Sequence, residues 1–216
     1  MSTAAVQPGM SADRKVSIRF DGWEFHHVMP RISESDFEEI CRQNPDLRIE
    51  LDKNGNLLVM PPVSLGSGNF EIETGADLVM WNRLAKLGMV FSSQTMFSLP
   101  DGVKRMAYAA WISHEKLKAL PQTEWDTYAR IVPDFIIEVR SPSDELAAQQ
   151  NKIKDVWLAN GVRLAWLFDP AEATAYIYRA DGRVEIVSGF DKMLSGEDVL
   201  PGFVFSMSVL ERKMPE

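Results

Sequence analysis

One carboxylate stands where an apolar side chain is expected. The run Phe135-Ile136-Ile137-Glu138-Val139 reads as a buried strand with Glu138 inside it. A carboxylate in such a place is costly unless something pairs with it. It either meets a structural cation or belongs to a catalytic or metal-binding site at the strand's end. Side chains alternate along a strand, so Glu138 and Arg140 share a face. They lie roughly 6 to 7 Å apart at about 3.3 Å per residue. A carboxylate followed by a cation at a strand end suits metal-dependent phosphodiester hydrolysis. The acid holds Mg²⁺, and the cation stabilises charge on the phosphate or orients water. One acid seldom suffices, so a partner is required. Asp134 shares the face but lies about 13 Å away by the same rise, and reads as a structural strand-entry residue.

The unit that must position Glu138 runs from Val132 to Pro170. Its first strand is followed by Ser141-Pro142-Ser143-Asp144, then a helical segment, then Asn160-Gly161, then the apolar run Leu164-Ala165-Trp166-Leu167-Phe168. Strand, helix and strand at this length predict a βαβ crossover with parallel strands. Pro142 suits a first helical turn, with Ser141 as its cap. Asp144 and Glu145 suit the positive end of the helix dipole, and Gly161 a left-handed stop. Leu146, Ile153, Val156 and Trp157 give the helix one apolar face.

The other elements flank this unit. Val16 to Phe25 alternates as an edge strand would, and His26-His27 follows it. Adjacent histidines on a strand point to opposite sides and rarely share a metal. Ser35-x-x-Glu38 reads as a capping box opening a helix to about Asn44. Asn54-Gly55 predicts a hairpin between 47–51 and 57–60. Val63 to Gly68 reads as a loop and Asn69 to Leu87 as a helix ended by Gly88. Further strands are expected near 89–91 and 108–112, with a helix over 114–120. Asp181-Gly182 predicts a second hairpin between 173–179 and 183–187. Residues 193–199 read as loop, and 204–210 as a short terminal strand or helix. Trp81, Trp111, Trp157 and Trp166 are expected in the core. The predicted class is α/β, a mixed sheet with flanking helices and added hairpins. Residues 1–15 read as a disordered arm and 16–216 as a single domain.

Composition narrows the function. The 216 residues carry a net charge of −8, which opposes broad non-specific nucleic-acid binding but leaves room for a local basic patch. Apolar residues make up 45% of the chain and charged residues 25%, ordinary for a globular protein. A lone cysteine, Cys41, excludes an internal disulfide framework and fits a reducing, cytoplasmic compartment. No apolar run is long enough for a membrane span, and the N-terminus lacks a signal-peptide core.

The segments LPDGVKR, AAWIS, VPDFIIEVRSPSDEL, NGVRLAWLFDP and LSGEDVLPGF together resemble the Uma-type restriction endonuclease family. That family belongs to the PD-(D/E)XK nuclease superfamily, and the likeness runs from about Ser33 to Leu210. It implies a restriction-endonuclease-like fold, Mg²⁺-dependent cleavage of DNA and a homodimer. It places the family's strand glutamate on Glu138 and its helix acid on Glu71. The family's lysine falls on Arg140 or, from the crossover helix, on Lys152 or Lys154. Its metal-binding aspartate falls on Tyr108, a departure, because a neutral phenol is a poor Mg²⁺ ligand. Two readings follow: a metal-dependent nuclease with a weakened site, or a nuclease fold kept as a binding or regulatory module. If Tyr108 turns into the core and another acid such as Glu73 or Asp101 approaches, the first is favoured.

Overall fold

The computed structural model describes residues 32–211. The expected edge strand over Val16 to Phe25 and the His26-His27 pair lie outside them. In chain order the elements begin with α1 (Glu34–Gln43), β1 (Arg48–Leu51), β2 (Leu57–Met60) and α2 (Leu65–Ala85). Next come β3 (Gly88–Ser92), β4 (Phe97–Ser98), β5 (Lys104–Arg105), β6 (Ala109–Ser113) and α3 (His114–Ala119). Then follow β7 (Phe135–Val139), α4 (Leu146–Asn151), a π-helical segment (Lys152–Leu158) and β8 (Leu164–Asp169). The chain closes with β9 (Thr174–Arg179), β10 (Val184–Ser188), β11 (Met193–Ser195) and β12 (Val204–Ser206).

The chain divides into two compact units. The first holds α1, β1, β2 and β5. β1 and β2 form the expected antiparallel hairpin, with Gly55 at φ 76° in its turn. Leu51 of β1 pairs with Lys104 of β5. The cap of α1 lies two residues before the expected one: Ser33, not Ser35, accepts from the Asp36 amide. The Ser33 hydroxyl also donates to the Asp36 carboxylate. Phe37 and Ile40 bury the helix's apolar side, and Cys41 is half-buried. Lys104 is buried against the Phe37 ring and pairs with Glu34 at 2.8 Å.

The second unit carries a six-stranded mixed sheet in the order β10-β9-β8-β7-β6-β3. β7 and β8 are parallel, with Glu138 opposite Leu167, and the other neighbours are antiparallel. The βαβ crossover is therefore present. β11 and β12 pair as a small ribbon, so part of the expected 193–199 loop is strand. One face of the large sheet packs Phe135, Ile137, Trp166 and Phe168 against Phe70 and Leu78 of α2 and against Phe203 and Phe205. Trp166 meets Phe135 edge-on at 4.9 Å and stacks on Phe203 at 5.7 Å. The opposite face buries Ile136 and Leu167 of the strands with Ile153 and Trp157 of the crossover.

Two sequence expectations shift here. α2 starts at Leu65, four residues before Asn69, because Ser64 caps it by accepting from the Ser67 amide. Its left-handed stop is Lys86 at φ 54°, not Gly88. Gly88 opens β3, where an added Cβ would lie 2.2 Å from the Ile112 carbonyl and 2.6 Å from the Trp111 ring. Asp134 is structural, as expected: it accepts from the Ser113 amide at 2.8 Å and pairs with Lys116. No helix among the described residues is long and apolar enough to cross a membrane.

Candidate active site: the Glu138–Lys152 pair

Glu138 is 6% exposed, and its carboxylate is compensated within the crossover itself. Lys152 Nζ lies 2.8 Å from Glu138 Oε1. The indole Nε1 of Trp157 donates to the same oxygen at 2.9 Å. Both contacts fall on Oε1, and neither uses Oε2. Lys152 and Trp157 are five residues apart. On an α-helix, at about 100° per residue, five residues leave two side chains about 140° apart. Here the helix is wound wider. The Ala159 amide reaches back to the Lys154 carbonyl and the Val162 amide to the Trp157 carbonyl, both five residues earlier. That π winding returns the fifth residue over the first, and such turns are frequent at functional sites.

The helix does not begin at Pro142. Ser141 to Asp144 form a turn in which the Ser141 amide donates to the Asp144 carboxylate, and α4 starts at Leu146. The turn holds Arg140: its Nε donates to the Asp144 carbonyl at 3.0 Å. Its Nη1 lies 2.5 Å from Oδ2 of Asp169, the last residue of β8. Asp169 is 1% exposed, and its Oδ1 is buried with no hydrogen-bond partner. A cavity of about 240 Å³ opens here, lined by Ser67, Phe70, Arg140, Pro142, Asp169 and Leu210 among others.

The remaining candidates separate. Lys154 sits over the Tyr178 ring at 5.9 Å, so the lysine at Glu138 is Lys152. Glu71 accepts a bond from the Ser93 hydroxyl. Tyr108, just before β6, donates its hydroxyl to the Ser67 carbonyl in the first turn of α2. Glu73 is exposed and faces Asp77, whose pKa is raised by burial and then by Glu73 itself. Asp101 caps its own turn by accepting from the Val103 amide. Among the described residues, no three His, Cys, Asp or Glu side chains come together to hold a metal ion. The donors at Glu138 fit a Mg²⁺ ion held by one protein carboxylate and otherwise by water and substrate phosphate, an arrangement Mg²⁺ accepts.

Two residues of this region were not legible as site residues. Trp157 reads as core from its helical spacing, and only the π turn aims its N–H at Glu138. Asp169 reads as the end of an apolar strand. The one sequence signal for it is an acid following Leu164–Phe168, opposite Arg140 in a parallel register.

Residues 34–208 match the Uma2 family, described as "Putative restriction endonuclease". No curated protein matches the chain. Among solved structures, the chain is similar to a protein of Anabaena variabilis ATCC 29413 described as a "putative nuclease belonging to DUF820". The TM-score is 0.70 at 17% identity, covering 83% of this chain and 97% of that one, a likeness of fold. With the match spanning most of its length, the chain belongs to the Uma2 family.

Proposed function

We propose that this protein is a DNA endonuclease that hydrolyses phosphodiester bonds with a divalent metal such as Mg²⁺. The observation that carries the reading is the buried Glu138 carboxylate paired with Lys152 at 2.8 Å. When bound, the metal supplies Lewis-acid stabilisation of the phosphate and lowers the pKa of a bound water. Glu138 offers Oε2 to that ion, while Lys152 and Trp157 fix the carboxylate through Oε1. Lys152 places a cation where charge on the phosphate would develop. Arg140, two residues along, adds a second cation, which cannot act as a base near neutral pH. Glu71 is the candidate helix acid. Residues 16–216 act as one functional domain in a reducing, cytoplasmic compartment, a setting that suits a chain with a single cysteine, Cys41. We also propose a homodimer, because α2 exposes Leu65, Ile72, Met80 and Leu84 along one side.

Tyr108 favours a second reading. It occupies the position of the family's aspartate, and its hydroxyl is turned onto the α2 backbone. A chain with one carboxylate ligand would keep the fold as a DNA-binding or regulatory module.

Calorimetry with Mg²⁺ and Mn²⁺, followed by a plasmid-cleavage assay, separates the two. The nuclease reading expects metal binding that Glu138→Ala abolishes, and metal-dependent nicking by the native chain. Absence of both in the native chain, with metal binding gained by Tyr108→Asp, establishes the binding-module reading instead.

A further inference from the structure

We infer that two copies of this chain pair through antiparallel α2 helices about a twofold axis, with Glu73 of each copy facing Arg83 of the other; this rests on the homodimer reading above and adds its orientation and register. The exposed apolar residues Ile72, Ala76, Met80 and Leu84 follow one another along α2 at four-residue steps. Such a row is a ridge on the helix surface, the feature that packs into the groove of a second helix. Ile72 is 67% exposed, Met80 64% and Leu84 86%, so no described residue covers the ridge.

The face is self-complementary. An antiparallel pairing centred at the level of Leu78 sets Ile72 against Leu84, Ala76 against Met80 and Glu73 against Arg83, because each pair lies equally far on either side of Leu78. Every contact then occurs twice, as an isologous interface requires. Small Ala76 sits beside the crossing and lets the helices approach. Glu73 and Arg83 flank the middle of the ridge, roughly 40° to either side at about 100° per residue. With axes about 8–10 Å apart, side chains of that length meet across the seam. The charges agree with this register. Both residues are exposed, and neither has an ion pair among the described residues. Glu73 instead faces the Asp77 carboxylate one turn on, a like charge that is unfavourable. Arg83 of the same helix is ten residues away, about 15 Å, and cannot relieve it. Arg83 of a second copy can. A parallel pairing offers no such match, since it sets Glu73 level with Glu73 and Arg83 level with Arg83.

Sedimentation equilibrium on the full chain, at low salt and without metal, tests the pairing. The native chain should dimerise at micromolar concentration and weaken as salt rises. Glu73→Arg and Arg83→Glu each set like charges against each other twice, and each should raise the dimer dissociation constant about tenfold or more. The double variant restores both contacts and should recover the native constant. Both positions are exposed, so melting temperatures should stay near that of the native chain. Orientation is read separately, in a Cys41→Ala background. Ala76→Cys mixed with Met80→Cys should form an intermolecular disulfide faster than either variant alone. A native chain that stays monomeric removes the homodimer and this pairing with it. Three results overturn the α2 pairing and leave the homodimer standing: a dimer indifferent to both reversals, a double variant that does not recover, or single-cysteine variants that cross-link as fast alone as mixed. None of these outcomes depends on metal binding or DNA cleavage.

Discussion

Lys152 reaches Glu138 from the helix of the same βαβ unit, with Nζ 2.8 Å from Oε1. The acid is on a sheet strand and the base on the crossover that covers it, so one supersecondary unit carries both. The two differ in exposure. Lys152 is 21% exposed and can swing its ammonium to water, whereas Glu138 cannot leave its strand.

That asymmetry predicts unequal costs. Lys152→Met leaves a buried carboxylate with only the Trp157 N–H, and should cost about 1–3 kcal/mol at neutral pH. Glu138→Gln should cost less, because the stranded lysine can solvate itself. The double variant should recover part of the Lys152→Met loss. A double-mutant cycle by urea denaturation checks this, and additive single effects would refute a coupled pair.

The π segment behaves as one inserted residue. Asp155 is exposed within Lys152–Leu158. Deleting it would set Lys152 and Trp157 four residues apart, a spacing that stays on one face of an ordinary α-helix. The deletion variant should fold, with its melting temperature within a few degrees of the native chain. It should keep the Lys152→Met penalty. Loss of cooperative unfolding would show that the wide turn is required.

Tyr178 sets an alkaline limit. Burial, and then the nearby Tyr176, raise its pKa from 10.0 to about 12, against a smaller opposing bond from Gln150. The folded state thus holds the phenolic proton more tightly than the unfolded state. Its contribution to stability is full below about pH 10 and is lost as pH rises through about 12. Tyr178→Phe should flatten the fall in stability between these values. Urea midpoints at pH 9 to 12, with phenolate absorbance at 295 nm, measure both.

The apolar side of α2 predicts association. Leu84 is 86% exposed and Leu65 95%. Leu84→Glu should shift the chain towards monomer in light scattering at micromolar concentration, with little change in monomer stability. A native chain that is already monomeric there would remove the dimer.

Much of the fold was legible because local rules wrote it. Asn54-Gly55 and Asp181-Gly182 turn their hairpins, and two apolar runs of five residues become the parallel pair β7 and β8. Helix starts were less legible, because several serines compete as caps. Ser33 and Ser64 captured amides earlier in the chain than expected, and Ser141-Pro142 was spent on a turn.

By itself, the sequence determined that Glu138 would be a carboxylate inside a buried strand, since strand parity and apolar neighbours depend only on order. The choice between Lys152 and Lys154 waited for the tertiary structure. The two lysines are two residues apart, and which one meets the strand depends on how the helix is wound above the sheet. A π turn changes that phase, and no residue pattern before it announces the change. The pairing of Arg140 with Asp169 likewise needed the parallel register of β7 and β8, which sets side by side two residues 29 positions apart.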